Sequence, residues 1–337
     1  MVELYPLRLE PHLSPRLWGG NKLQTFLKSI PESAFKGPEA IGEAWLVYED
    51  NLVSEGPLAG HKLAKLAKDY GTALLGSLSV KRYGHKVPLL AKLIDARDKL
   101  SIQVHPDDPY ALTHESASGH LGKTEAWYIL ESQHDGDLGE IIWGFKETMT
   151  PQSLREAIMA GEIESSFNHL QVSPGDLIYN PAGTLHAIGS GIFLFEIQQS
   201  SDLTYRLYDY DRLDAQGNLR ELHFDKALAV LDYRANDQAK IRPQRLSEDR
   251  ELLISCEAFA LESLRLAGCL SASTSAKSLE ILTLITGHAK LSYQGQSYEL
   301  WQGDALLLAA SLGTYQLEGH GQVLKAYIPD EDNGALT

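Results

Sequence analysis

Cysteine is nearly missing from this chain, which has two, Cys256 and Cys269, in 337 residues. That is too few for a disulfide framework and points to a reduced compartment. No apolar run approaches the length a bilayer requires, which argues against a membrane span. Met1 to Glu10 contains no apolar core of a signal peptide. Basic residues are also short: 30 Lys and Arg against 45 Asp and Glu, a formal charge of −15. Nucleic acid and anionic membrane surfaces are therefore poor partners. An anionic small molecule is still allowed, because a local basic pocket can work inside an acidic protein. Glycine pairs such as Gly189 and Gly191 read as turns, with no phosphate-cradling pattern around them. The expectation is a soluble, cytoplasmic protein.

What is present is β-structure. With 43% hydrophobic and 22% charged residues, the composition is that of a globular protein of one large or two ordinary domains. Short alternating apolar segments recur at 89–94, 126–130, 177–179, 192–197, 279–285 and 305–308. Gly, Pro, Asn and Asp punctuate them, as in a sandwich or barrel. Helices are a minority. Leu63, Leu66, Ala67, Tyr70 and Leu74 keep helical spacing between Gly60 and Gly76. Thr150-Pro151 reads as an N-cap followed by proline at the first helical position, with Leu154 and Ile158 on one face and Gly161 closing the helix. A third helix is predicted from about His223 to Leu231.

Residues 234–250 are polar and charged and read as a linker. The expected division is a first domain over 1–240 and a second over 241–337, the tail from Asp330 to Thr337 being frayed. A faint repeat supports a duplication. The segment Gly175 to His186 can be laid over Gly303 to Thr314. Both start Gly-Asp, enter an apolar strand and reach a turn of small residues. Ala309 stands for Pro181 and Thr314 for His186, so a metal-binding first copy and a second copy without metal are expected.

Gln103, His105, Glu125 and His186 carry the chemistry. Alternate residues of a strand share a face. That rule groups Ser101, Gln103 and His105, and separately Lys123, Glu125, Trp127 and Ile129. His186 ends Gly-x5-Pro-x-Gly-x2-His, whose proline and glycine shape a turn that presents the imidazole. One amide, two imidazoles and one carboxylate suit a single divalent ion. Zinc is the first choice, and Mn²⁺, Co²⁺ or Fe²⁺ fit the same donors. The plainer alternative is a structural polar cluster.

The spacing of the His186 segment is similar to the second cupin motif, with Ser190 where an Asn is usual. Gln103-Val104-His105 stands where the first cupin motif has His-x-His. Four segments in order, 101–108 (Ser-Ile-Gln-Val-His-Pro-Asp-Asp), 122–128 (Gly-Lys-Thr-Glu-Ala-Trp-Tyr), 181–187 (Pro-Ala-Gly-Thr-Leu-His-Ala) and 201–212 (Ser-Asp-Leu-Thr-Tyr-Arg-Leu-Tyr-Asp-Tyr-Asp-Arg), resemble the type I mannose-6-phosphate isomerases, the short bacterial form above all. Arg16-Leu-Trp18-Gly-Gly20 and Gly42-Glu43-Ala-Trp45 look like that family's N-terminal motifs. The likeness covers most of residues 5–232 and fades in the last hundred.

The resemblance implies a mainly β fold of two cupin-type jelly rolls, with a few helices packed on the first. It implies one Zn²⁺ per chain on Gln103, His105, Glu125 and His186, and interconversion of mannose 6-phosphate and fructose 6-phosphate. It makes Arg206 an active-site arginine, Lys123 a lysine near the metal, Ser101 a serine near the substrate, and Glu196 and Asp202 acidic residues in or near the site.

Aldose–ketose isomerisation through an enediol(ate) needs a base, an electrophile and a dry pocket. Arg206 cannot readily lose its proton, so it suits oxyanion stabilisation, and strand parity lets Asp202 orient it. Lys123 fits a proton shuttle or a phosphate contact. Glu196, a carboxylate in an apolar strand, needs a partner or a purpose and leads as the proton-transfer group. Trp18, Glu43 and Trp45 are candidate pocket walls. The charges at Asp107-Asp108-Pro109 and from Asp209 to Arg212 read as turn and surface groups, and His114, His120 and His134 as solvent-facing. A non-catalytic cupin that binds a sugar phosphate is the alternative from another class. An Fe²⁺ oxidoreductase is a third, and oxygen consumption would reveal it.

Overall fold

The structure is a computed structural model that describes residues 2–37, 40–213 and 217–330. The expected tail thus lies, beyond Asp330, outside the described residues. The chain packs as two compact units. One takes Pro15–Gly20 and Ile94–Ile241; the other takes the stretch up to Ser14, Asn21–Leu93, and the chain from Arg242 onward. The second contiguous segment does start where the polar linker was read. The expected 1–240 span nevertheless includes residues that pack with the C-terminal part. Leu7 and Arg8 pair with Leu307 and Leu306, so the N-terminal segment supplies an edge strand to a sheet built almost 300 residues later. The helices Leu63–Tyr70, Thr72–Leu75 and Ser77–Tyr83 go with that unit too.

In the unit made of Pro15–Gly20 and Ile94–Ile241, five antiparallel strands follow the order Tyr205–Tyr208, Ile102–Val104, His186–Ile188, Glu140–Phe145 and Phe167–Gln171. A second set runs Lys240–Ile241, Leu177–Asn180, Glu125–Ser132 and Ile192–Gln199. Their inner faces meet in one apolar cluster that includes Trp127, Ile129, Ile178 and Leu194 from one sheet and Ile141, Trp143 and Ile188 from the other. Helices Pro151–Ala160 and Phe224–Val230 cover the outer face of the five-stranded sheet through Leu154, Ala227 and Leu228, against Ile102, Phe145 and Leu207. Thr150 forms a capping box with Ser153, and Gly161 closes that helix in the left-handed region. Among the described residues no helix is long and apolar enough to cross a membrane.

The other unit is a sheet dominated by three 14-residue strands, Ala260–Ser273, Glu280–Tyr293 and Thr314–Tyr327. Its core joins Leu264, Leu284, Leu291, Leu306 and Val323.

The internal repeat has a hydrogen-bonded signature. Asp176 N–H donates to Ser173 O at 3.0 Å, and Asp304 N–H to Trp301 O at 2.9 Å. The carboxylates accept from the same two residues, Ser173 N at 2.8 Å and Trp301 N at 3.0 Å. Gly175 and Gly303 both sit at positive φ, 92° and 91°, where glycine pays no Cβ penalty. Each turn then exchanges two bonds with a neighbouring strand, at Ile129 in one unit and Leu284 in the other. Four residues before these anchors stand Glu125 and Glu280, which pair with Asn180 and Leu308 respectively. The glutamates' surroundings have diverged. Glu280 faces Lys325 Nζ at 3.6 Å, which also stands 3.5 Å from Glu262, and accepts from Tyr315 O–H at 3.2 Å. Glu125 faces two imidazoles.

Candidate metal centre

Pairing register assembles the site. Gln103 is the middle residue of its strand and lies directly opposite His186 on one side and Arg206 on the other. Directly opposed residues point to the same face, so one row of three strands presents an arginine, an amide and an imidazole together. Glu125 comes from the other sheet. His105 immediately follows the Gln103 strand. Its carbonyl accepts from Gly183 N, tying it to the turn that presents His186, and Pro106 O accepts from Lys123 N at 2.9 Å. Asp108 accepts from Gly122 N and Gln199 Nε2 at 2.8 and 3.0 Å, holding the loop that leads to Lys123. Asp107 caps helix Asp108–His114 by accepting from Tyr110 N. These two aspartates were read as turn and surface charges: Asp107 is an exposed residue that caps a helix, whereas Asp108 is half-buried and anchors a loop.

His105, Glu125 and His186 are almost completely buried, at 1%, 0% and 1% exposure. Among the described residues they are the group whose His, Cys, Asp or Glu donor atoms converge, all within 4.8 Å of one another. Each imidazole contacts a backbone carbonyl through Nδ1, His105 with Leu203 O and His186 with Thr184 O, both at 2.9 Å. A carbonyl only accepts, so Nδ1 carries the proton and Nε2 keeps its lone pair. Those Nε2 atoms stand 3.4 and 3.3 Å from the two oxygens of Glu125. Gln103 Nε2 is 3.3 Å from His186 Nε2, and Ser101 Oγ is 3.4 Å from Gln103 Oε1. Turning the Gln103 amide by 180° exchanges its two ends and aims the oxygen at the same point.

Two buried lone-pair atoms, His105 Nε2 and Glu125 Oε1, lack a hydrogen bond, while Glu125 Oε2 meets the Lys123 ammonium. Buried polar atoms are rarely left so. Burial draws His105 down to about 3, with Lys123 adding to the effect, so its ring is neutral, as a ligand must be. Burial alone would raise Glu125, but Lys123, His105 and His186 hold it well below the usual carboxylate range. Unpartnered lone pairs, a neutral His105 ring, two imidazoles oriented through Nδ1 and an ionised carboxylate fit a divalent cation.

The remaining candidates divide. Lys123 Nζ lies 2.9 Å from Glu125 Oε2 and 4.0 Å from Glu196 Oε1. Glu196 Oε2 accepts from Trp127 Nε1 at 2.9 Å, and the Trp127 ring stands edge-on to His186. Ser101 is buried beside Gln103. Trp18 is 3% exposed and belongs to the apolar cluster with Trp127 and Trp143, so it packs rather than lining an open wall. Glu43 belongs to the other unit, where its Oε2 accepts from Trp45 Nε1. Asp202 is exposed and precedes the strand, which starts at Tyr205, so strand parity does not apply to it. The Arg206 guanidinium donates instead to Glu221 O at 2.7 Å.

Two features escaped the reading of the sequence. Arg212 and Asp209 are not surface groups: they are 17% and 4% exposed and paired, with Arg220 Nη1 3.4 Å from the same carboxylate. Burial, then Arg220 and Arg212, lowers Arg206; burial, then Arg212 and Arg16, lowers Arg220, with Asp209 opposing. Three arginines thus act on Asp209, and their clustering at 206, 212 and 220 in an acidic chain was the available signal. Asn180 and Gln198 are buried on either side of Glu125.

Comparison with known proteins decides the family. The catalytic-domain model of phosphomannose isomerase type I matches residues 7–148, and the mannose-6-phosphate isomerase cupin-domain model matches residues 248–328. The Bacillus subtilis protein named mannose-6-phosphate isomerase ManA is 37% identical over 329 residues, covering 96% of this chain and 99% of its own. The chain belongs to the type I phosphomannose isomerases. A Streptococcus mutans mannose-6-phosphate isomerase is 34% identical over 330 residues, covering 96% and 98%. The crystal structure of the Bacillus subtilis mannose 6-phosphate isomerase superposes with a TM-score of 0.83 at 31% identity, covering 95% of this chain and 99% of that one. As a member of the type I phosphomannose isomerases the chain is an enzyme, and its mainly β, cupin-type fold with few helices is that family's.

Proposed function

We propose that this enzyme is a zinc-dependent aldose–ketose isomerase that interconverts mannose 6-phosphate and fructose 6-phosphate through an enediol(ate). The observation that carries the reading is the convergence of buried His105, Glu125 and His186 beside Gln103, with Arg206 in register on the same strand row. One zinc per chain on these four residues, bound in the cytoplasm, would polarise the C1 and C2 oxygens of the sugar as a Lewis acid.

The chain's own groups do the rest. The hydrogen on C2 of the open-chain aldose leaves as a proton. Its bonding electrons form the C1–C2 double bond as the C1 carbonyl π pair moves to O1, which takes a proton. The O2 hydroxyl then loses its proton, the C2 carbonyl forms, and the C1–C2 π pair takes a proton at C1. Glu196 is the carboxylate we assign to that transfer, held by Trp127 and facing the Lys123 ammonium. Lys123 favours the charged form of Glu125 and stands ready to hold or pass a proton on an oxygen. Arg206 keeps its charge and stabilises the oxyanion that develops in the transition state. Arg212 and Arg220 supply the local positive field that an acidic protein needs for a phosphate dianion. Ser101 is assigned to substrate contact through its place beside Gln103. Asp202 is a secondary candidate whose position bears less directly on the reaction.

Turnover in D₂O tests the chemistry. Mannose 6-phosphate is expected to give fructose 6-phosphate carrying solvent deuterium at C1, read by mass spectrometry. Conversion with no label at any substrate concentration would exclude the enediol route, and no conversion would exclude the isomerase.

A further inference from the structure

Asn180 is 1% exposed, yet neither its Nδ2 nor its Oδ1 has a hydrogen-bond partner. Its position explains where the amide is directed. Asn180 is the last residue of its strand and lies directly opposite Glu125, so both side chains leave the sheet on the same face. That face is where the two imidazoles converge. On the other side of Glu125 the opposed residue is Gln198, whose Nε2 is held by Gln199 O and Ser201 O while its Oε1 is also orphaned.

The duplicated unit supplies an internal control. The position equivalent to Asn180, four residues after the Gly-Asp turn and opposite Glu280, is Leu308, fully buried in an apolar core. The backbone therefore accepts an apolar residue there. In the unit whose imidazoles converge, an amide without a protein partner takes the leucine's place.

We propose that Asn180 is a substrate-contacting residue of the metal centre, its carboxamide binding a sugar hydroxyl brought beside Glu125. A primary amide both donates and accepts, as a hydroxyl does. A phosphate dianion could use only the Nδ2 end of the amide, whereas a hydroxyl uses both ends, and the phosphate is assigned above to the arginine cluster. The inference rests on the isomerase reading and deepens it by naming a residue that distinguishes the sugar from its phosphate.

Asn180→Leu tests this with three readouts besides turnover. The variant is expected to keep the parent's zinc content, since Gln103, His105, Glu125 and His186 are untouched. Its Tm should equal or exceed the parent's, because an unpartnered buried amide is replaced by the residue the other unit uses. Calorimetry should show fructose 6-phosphate bound about tenfold or more weakly, while inorganic phosphate binds as in the parent. Asn180→Ser, which retains a donor and an acceptor, should recover part of the loss. Asn180→Ala carries the same expectation for the two ligands if leucine does not fit. Unchanged fructose 6-phosphate affinity would overturn the proposal, as would equal weakening of both ligands together with lost zinc, the result of a merely structural role. A zinc-loaded parent without turnover would sink the isomerase reading itself; an active parent with an unaltered Asn180→Leu variant sinks this inference alone.

Discussion

Replacing His186 with alanine is expected to empty the metal site and reduce isomerase turnover by at least about three orders of magnitude. His186 is one of only two imidazoles in the converging group, and its Nδ1–H bond to Thr184 O already sets the tautomer for binding. Its loss removes a nitrogen donor and takes a neighbour from both Glu125 and Gln103. Even removal of groups that merely orient a ligand typically costs 10- to 100-fold in metal affinity; loss of the ligand itself should cost more. The chain should still fold, because the apolar clusters on both faces of the His186 strand do not depend on its ring. Metal analysis and a melting curve check this together. The parent should carry one zinc per chain and gain Tm as zinc is added; His186→Ala should carry almost none and show no such gain. A variant that retained a full complement of zinc would remove His186 from the site.

Arg206→Ala should give the opposite pattern: zinc stays bound while kcat/KM falls by about two to three orders of magnitude, or roughly 3 to 4 kcal/mol of transition-state stabilisation. The guanidinium shares its strand row with Gln103 without belonging to the convergent donor group. Its Nη1 is anchored on Glu221 O, whereas its buried Nε has no partner. An anchored, unsaturated cation beside a metal site suits a charge that appears during reaction. Arg206→Lys should rescue poorly, because a point charge cannot replace a planar fork. Normal zinc content with an unchanged rate would contradict the assignment.

His186 was legible before the structure because its signal is local, whereas Arg206 was singled out only by the family resemblance. A Pro-x-Gly-x2-His turn and a Gln-x-His strand keep their meaning within a few residues, as does the capping box at Thr150. Glu125 was also within reach, since strand parity is a property of the strand alone. What escaped depended on distant partners. Nothing near Leu7 announces that it pairs with Leu307, so the two units were drawn as contiguous spans. Asp209 and Arg212 looked like surface charge until Arg220 was brought to the same carboxylate. Asp202 was placed in phase with Arg206, but the strand begins only at Tyr205. Asn180 drew no reading from the sequence; its interest arises only from the glutamate opposite it. The Gly-Asp repeat was visible as letters, but its weight comes from matched hydrogen bonds that letters do not show.

The most direct test measures one rate three times: mannose 6-phosphate isomerisation by the purified chain, by the same sample after chelation to a verified metal-free state, and after zinc is returned. The account predicts activity, its loss, and its recovery in proportion to zinc bound at His105, Glu125 and His186. A fully zinc-loaded chain that leaves mannose 6-phosphate unchanged, or a metal-free chain that retains its rate, would contradict it.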